Sequence, residues 1–150
     1  MNETANAEKT QLKLVKFVRA TREKVFQAWT NPQHVSRWFA PGAMTVPSAE
    51  VDARVGGSYR IQMKNADDET FTTTGVYKEI VPNEKLVFSW GWEGPERYES
   101  LVTVKLMDKD DGTEITLIHE RLQNTESTEK HTQGWQGCLA NLAARIDQIN

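Results

Sequence analysis

Six short β-rich segments follow one another between Met44 and Leu122, and this run constrains the fold more than any other feature of the sequence. Residues that favour tight turns separate the segments: Gly56-Gly57, Asn65–Asp68, Pro82-Asn83, Gly94-Pro95 and Asp110–Gly112. The pattern predicts strands at about residues 44–52, 55–64, 70–81, 85–92, 97–107 and 113–122. Because no helical crossover separates them, the strands indicate an antiparallel meander and exclude a doubly wound α/β fold.

Alternation of apolar and polar residues indicates which face of the later strands is buried. Ile115, Leu117 and His119 share one side of the strand at 113–122, which predicts that this side faces the core. The strand at 97–107 has an equivalent inward set: Val102, Val104 and Leu106. A further segment, LKLVKFV at residues 12–18, predicts another strand, so the sheet is expected to have about seven.

Three helices complete the pattern. Thr21 precedes REKVFQAWT as an N-cap hydroxyl, and Asn31-Pro32 ends this helix and begins a second one, QHVSRWFA. The last segment, residues 127–150, is a long amphipathic helix with Ser127 or Thr125 as its candidate N-cap. Its apolar stripe has helical spacing: Trp135, Cys138, Leu139, Leu142, Ile146 and Ile149. The order of elements predicts an α+β protein whose strongly curved antiparallel sheet grips one long C-terminal helix.

Two glycines, Gly134 and Gly137, fall in the early turns of this last helix, where each costs about 1 kcal/mol relative to alanine. Close approach of another backbone, or space left beside the helix, would explain them. A frayed or bent start of the helix would explain them equally well.

Composition and charge exclude several classes of function. The chain has 150 residues, with 18 Lys and Arg against 21 Asp and Glu, and a pI near 5.7. This balance gives no reason to expect nucleic acid as a partner. No apolar run approaches the roughly 18 residues of a membrane span, and the polar start lacks the apolar core of a signal peptide. We expect a cytoplasmic protein without a membrane partner, with a disordered segment at residues 1–10 and a single domain over residues 11–150.

Three large aromatic residues, Phe88, Trp90 and Trp92, share one face of the predicted strand at 85–92. Such a face is either ordinary core or the wall of a ligand cavity between the sheet and the last helix. Trp90, Trp92 and Tyr98 combine apolar area with a polar group, which suits a pocket that holds a ring system and hydrogen-bonds it. The sequence leaves both interpretations open.

The histidines and the single cysteine bear on chemistry. An inward imidazole at His119 needs a partner, so it is either a general acid or base or a residue that bonds a neighbouring side chain. His34 is expected on the exposed side of the second helix and His131 early in the last one, and the three lack a metal-ligand spacing. Cys138 has no disulfide partner and is expected to be a buried small hydrophobe. We therefore predict no bound metal and no cofactor.

Asp52 and Arg54 come directly before Gly56-Gly57. We predict that the two side chains form an ion pair that fixes a turn, and that the glycines supply turn or bulge geometry that a side chain would block. Binding of a ligand carboxylate is the alternative for Arg54.

Seven stretches carry a resemblance to a known family: ATREKVFQAWT (20–30), WFAP (38–41), DARVGG (52–57), GVYKEI (75–80), LVFSW (86–90), Gly112-Thr113 and Gly134-Trp135. In this unbroken order, the chain from about Leu12 to Ile149 resembles the bacterial homologues of the heat-shock-protein-90 ATPase activator. That family belongs to the SRPBCC, or START-like helix-grip, superfamily. The resemblance implies a helix-grip fold enclosing a cavity, with Trp38 and Phe39 at its mouth. Ordinary packing between the second helix and the sheet is the alternative for these two residues.

On this basis we predict that the protein binds a small hydrophobic or aromatic molecule between the sheet and the C-terminal helix. The predicted ligand-binding residues are Trp38, Phe39, Tyr59, Phe88, Trp90, Trp92, Tyr98, His119 and Trp135. For Trp135, as for Trp29, the sequence favours a place in the core.

Two alternatives remain at this stage. The first is a cyclase- or hydrolase-like enzyme that uses the same cavity, with His119, Tyr59 and Tyr98 as candidates for acid-base roles. The second is a co-chaperone or protein-interaction module. It ranks lower because the eukaryotic co-chaperone has a separate N-terminal domain, for which 150 residues leave no room. Exposed edge strands are also compatible with a homodimer.

Overall fold

The computed structural model describes residues 10–94 and 98–148. These residues form seven strands: β1 (Leu12–Val18), β2 (Thr45–Val51), β3 (Ser58–Lys64), β4 (Thr70–Val81), β5 (Lys85–Trp92), β6 (Ser100–Lys109) and β7 (Gly112–Glu120). The helices are α1 (Arg22–Thr30), α2 (Pro32–Trp38) and α3 (Thr125–Arg145), followed by a short 3₁₀ turn (Ile146–Gln148). Apart from Thr10, the predicted disordered segment lies outside the described residues, and so does Ile149 of the predicted apolar stripe.

One antiparallel sheet contains all seven strands in the order β1-β7-β6-β5-β4-β3-β2. Strands β2 to β7 follow one another as hairpins, and β1 adds to the far side of β7, so that β1 and β2 are the two edges. The sheet curls into a half-barrel around α3. The predicted α+β helix-grip architecture is confirmed.

Local capping explains where the helices begin. The Thr21 hydroxyl accepts from the Lys24 amide at 3.2 Å, and the Asn31 side chain accepts from the Gln33 amide at 2.9 Å, as predicted for α1 and α2. The predicted cap of α3 was wrong. Asn124 accepts from the Ser127 amide at 2.8 Å, because the helix begins at Thr125 and a preceding asparagine is at least as good an N-cap as serine or threonine.

The core lies between the concave face of the sheet and α3. The predicted inward side chains of β7 are fully buried, and those of β6, Val102, Val104 and Leu106, are buried as well. His34 was predicted to be exposed, and this was wrong because α2 packs against β2 and buries the imidazole. The solvent side of α2 is formed by Gln33, Ser36 and Arg37 instead.

The turn before β3 has the predicted ion pair. Arg54 Nε lies 2.9 Å from Asp52 Oδ2. Gly56 has a positive φ of 86°, and a Cβ at Gly57 would collide with the carbonyl oxygen of Asp52. Both glycines are therefore required by the turn geometry.

Candidate ligand-binding cavity

A cavity of about 470 Å³ lies between α3 and the part of the sheet formed by β3, β4 and β5. The strands line it with four side chains: Met63, Phe71, Trp90 and Trp92. The first half of α3 contributes five residues: Lys130, His131, Gly134, Trp135 and Cys138. The connection between α2 and β2 closes the remaining side with Phe39, Pro41 and Met44. Phe71 is 44% exposed and stands at the opening, so the cavity is an apolar pocket that reaches the surface.

The two glycines of α3 determine where this space opens. A Cβ added at Gly137 would lie 2.8 Å from the Cβ of Pro41, so the helix touches the α2–β2 connection at this position. A Cβ added at Gly134 would have no atom within 4 Å. Of the explanations considered for these glycines, close approach of another backbone applies to Gly137 and space beside the helix applies to Gly134.

The aromatic face of β5 divides between cavity and core. The Trp90 ring lies 5.0 Å from that of Trp135 and 6.0 Å from that of Phe39, and all three line the cavity. Phe88 instead packs against Tyr59 and Tyr77, at centroid distances of 5.5 and 5.9 Å. Two of the three aromatic residues of this face, Trp90 and Trp92, thus look into the cavity.

His131 joins α3 to the sheet at the edge of the cavity. Its Nδ1 lies 2.8 Å from the carbonyl oxygen of Ser127, which can only accept, so Nδ1 carries the proton. Its Nε2 accepts from the indole N–H groups of Trp90 at 3.2 Å and Trp92 at 3.1 Å. Burial is the main cause that lowers the pKa of His131, while its hydrogen bond to the Ser127 backbone opposes that shift. The imidazole is therefore held neutral.

His119 lies behind the cavity wall in a second hydrogen-bonded chain. Trp135 Nε1 donates to His119 Nδ1 at 3.0 Å, so the proton of the neutral ring is on Nε2. Nε2 lies 2.7 Å from the Ser100 hydroxyl, which donates in turn to the carbonyl oxygen of Trp90 at 3.2 Å. Burial, followed by the nearby His131, lowers the pKa of His119 to about 3. Both ring nitrogens are bound to side chains, and His119 is not part of the cavity lining.

The structure brings four of the predicted ligand-binding residues together: Phe39, Trp90, Trp92 and Trp135. It places the others elsewhere. Trp38 donates to the carbonyl oxygen of Ala28 at 2.8 Å, and the Tyr59 hydroxyl donates to that of Ser89 at 2.7 Å. Burial raises the pKa of Tyr59 well above its ordinary value of 10.0. Tyr98 is 46% exposed and lines a second pocket, which Trp92 also borders.

Several lining residues were missed by the sequence analysis: Pro41, Met44, Met63, Phe71, Lys130, His131, Gly134 and Cys138. Extending the apolar stripe of α3 by one turn from Trp135 would have reached His131. Alternation along β3 from Tyr59 through Ile61 would have reached Met63.

Cys138 is buried, as predicted. Its thiol donates to the carbonyl oxygen of Phe39 at 3.3 Å, and burial raises the thiol pKa to about 12.

Neither a metal-binding cluster nor a membrane-spanning helix is found among residues 10–94 and 98–148. Nowhere in these ranges do three His, Cys, Asp or Glu side chains come close enough together to hold a metal ion. None of the helices in the same ranges is long and apolar enough to span a membrane.

Several solved structures of bacterial proteins are similar to this chain. A protein from Chromobacterium violaceum superimposes with a TM-score of 0.84 at 25% identity, covering 92% of this chain and 98% of that one. A protein from Silicibacter pomeroyi, described as AHSA1, superimposes with a TM-score of 0.83 at 24% identity, covering 93% of this chain and 99% of that one. DynU16, from a dynemicin biosynthetic locus, gives 0.72 at 20% identity, covering 92% of this chain but 47% of that one.

A search of curated proteins found no match. A family model described as "activator of Hsp90 ATPase homolog 1-like protein" matches residues 19–147, which include α1, the whole cavity lining and α3. The match covers most of the chain, and the solved structures agree with it in fold. The chain therefore belongs to the family of activator of Hsp90 ATPase homolog 1-like proteins.

Proposed function

We propose that this protein binds a small, mostly hydrophobic or aromatic molecule in the cavity between α3 and the sheet. The observation that carries the proposal is the cavity itself, about 470 Å³ in volume and lined mainly by aromatic, methionine and other apolar side chains. That volume lies within the range of about 300–1,000 Å³ found for small-molecule sites. Proteins with this fold commonly bind hydrophobic ligands.

The orientation of the indole rings also supports the proposal. Buried indole N–H groups need acceptors, and Trp90 and Trp135 find theirs in His131 and His119. With their polar edges bound in this way, the rings can present apolar surface to the cavity without leaving a donor unpaired. A planar aromatic ligand would stack on these surfaces or pack against their edges.

Filling the cavity from the helix tests the proposal. Leucine at Gly134 would project into space where no atom lies within 4 Å of the Cβ position. We expect Gly134→Leu to fold and to reduce binding of the neutral fluorescent probe N-phenyl-1-naphthylamine at least about tenfold, a change of 1.4 kcal/mol.

Gln133→Leu is the matched control, because it adds the same side chain at the neighbouring, exposed position of α3. It should leave probe affinity unchanged. Equal affinity for the probe in wild type and Gly134→Leu would contradict binding in this cavity. Native mass spectrometry of freshly purified protein would show in addition whether a natural ligand co-purifies.

Activation of a chaperone ATPase is the second candidate, and the family match favours it. A pull-down with the chaperone of the host at physiological salt is its test, and retention of nothing would remove it. We do not propose an acid-base reaction at His119, Tyr59 and Tyr98, since Tyr59 and Tyr98 line a different pocket from the cavity and His119 lines neither of the two.

The single domain over residues 11–150, a cytoplasmic location, and a homodimer through the edge strands β1 and β2 stay predictions.

A further inference from the structure

The polar side chains among the cavity-lining residues carry mostly hydrogen-bond donors: three indoles, the Lys130 ammonium, the Cys138 thiol and the imidazole of His131. The Trp135 indole and the Cys138 thiol already donate to partners outside the cavity, His119 and the Phe39 carbonyl oxygen. Among the described lining residues there is one cation and no carboxylate. The one strong side-chain acceptor, His131 Nε2, is already engaged by two donors. A ligand that brings a further donor would find no free partner of this kind in the lining.

The two indoles at His131 compete for one acceptor. A neutral imidazole has a single lone pair on its unprotonated nitrogen, yet Trp90 and Trp92 both point their N–H groups at it, at 3.2 and 3.1 Å. One acceptor shared between two donors satisfies each only in part. Trp90 is buried whereas Trp92 is partly exposed, so Trp92 is the more accessible of the two to an acceptor that enters from solvent.

Lys130 brings a positive charge to the same cavity lining as Trp92. It precedes His131 on α3 and lines the cavity with it. Its ion pair with Glu126 is long, at 3.9 Å, and both side chains are about three-quarters exposed. An exposed pair of this kind contributes little, so the ammonium can turn toward a ligand at small cost.

We propose, on the basis of the function proposed above, that the ligand is an amphipathic anion. Its carboxylate or chemically similar acidic group takes the Trp92 N–H and lies beside Lys130, while its apolar body occupies the space between Phe39, Trp90 and Trp135. Once the anion accepts from Trp92, His131 Nε2 serves Trp90 alone, and every donor at this edge of the cavity has an acceptor of its own.

Two probes with the same aromatic skeleton test the proposal. 1-Anilinonaphthalene-8-sulfonate carries an acidic group, and N-phenyl-1-naphthylamine is the same molecule without it. Fluorescence titrations at pH 7.5 would give the affinity of both probes for the wild type, Lys130→Met, Trp92→Phe and Gly134→Leu. Lys105→Met is the matched charge control, because Lys105 is exposed on β6 between the inward residues Val104 and Leu106.

We expect Lys130→Met to weaken sulfonate binding about fivefold to tenfold, consistent with the loss of a charge-assisted interaction, and to change binding of the neutral probe less than about twofold. Trp92→Phe should also lower the preference for the sulfonate, and Lys105→Met should leave both affinities as they are. The proposal is overturned if Lys130→Met changes the affinities for the two probes equally or changes neither affinity.

The outcomes also separate this proposal from the one it rests on. If neither probe binds the wild type, or if Gly134→Leu lowers the affinity for neither probe, the proposal of binding in the cavity fails. If both probes bind in the cavity with a preference that no variant changes, the cavity stands as a binding site and only the anionic ligand class is refuted.

Discussion

Alanine at Gly134 and alanine at Gly137 are expected to change stability in opposite directions, although the two positions lie three residues apart on α3. Both are inside the helix, where replacing glycine by alanine gains about 0.5–1 kcal/mol, chiefly because the unfolded chain loses freedom. At Gly134 nothing opposes this gain, since the added Cβ would have no atom within 4 Å. Gly134→Ala should therefore raise the free energy of unfolding by about 0.5–1 kcal/mol.

At Gly137 packing reverses the sign. The added Cβ would lie 2.8 Å from Pro41 Cβ and 3.2 Å from Pro41 Cα. The backbone just before Pro41 is tied to α3 by two hydrogen bonds, Cys138 Sγ to Phe39 O at 3.3 Å and Asn141 Nδ2 to Ala40 O at 2.6 Å. Relieving the overlap would strain these bonds, and overpacking costs about 1–3 kcal/mol. Against the helix gain, the net loss should be about 1 kcal/mol.

Urea unfolding followed by circular dichroism measures both variants, and thermal unfolding should separate them by several degrees, since 1 kcal/mol corresponds to about 2–4 °C at this size. Gln136→Ala, at an exposed position of the same helix, is the control and should stay within about 0.5 kcal/mol of wild type. Stabilisation by Gly137→Ala, or destabilisation by Gly134→Ala, would refute the argument that one glycine marks contact and the other free space.

Three further outcomes are expected. Burial lowers the pKa of His119 from 6.5 to about 3. The contribution of the neutral ring to stability is therefore complete above pH 6.5 and should fall by up to about 1.4 kcal/mol per pH unit as the pH drops toward 3. His119→Asn should flatten the pH profile of the urea midpoint between pH 6.5 and pH 3. Asn124→Ala removes the cap of α3 and should cost about 1 kcal/mol in the same assay. Nitrogen-15 NMR should find the proton on Nδ1 of His131 and on Nε2 of His119, and the opposite tautomers would contradict the hydrogen-bond assignment.

The fold was predictable because its signals are local. Turn residues separate β2 to β7, and alternation along β6 and β7 identified their buried faces correctly. Tyr98 shows the limit of that signal. Its parity matches Ser100 and Val102, which point inward, but β6 begins only at Ser100. Alternation therefore does not extend to Tyr98, and its side chain is exposed.

Position along a strand and contacts between distant segments were harder to predict. Phe88 and Trp90 lie two residues apart and face the same way, yet their surroundings differ. Phe88 packs against Tyr59 and Tyr77, whereas Trp90 lines the cavity. His131 meets Trp90 and Trp92 across 41 and 39 residues of chain. No local pattern encodes such a contact, because it depends on how α3 lies across the sheet.

The same contacts explain why the cavity does not simply close. Unfilled apolar space is unfavourable in a protein interior, and α3 would fill it by moving toward β5. That movement is opposed on both sides of Gly134. One turn later the helix already touches Pro41 at Gly137, and one turn earlier His131 spans the distance to the sheet through its bonds to Trp90 and Trp92. Pushing the His131 ring out of these bonds would leave the buried indole donor of Trp90 without an acceptor, at about 1–3 kcal/mol. These contacts hold the cavity in shape without a ligand, which would lower the cost of binding the proposed one.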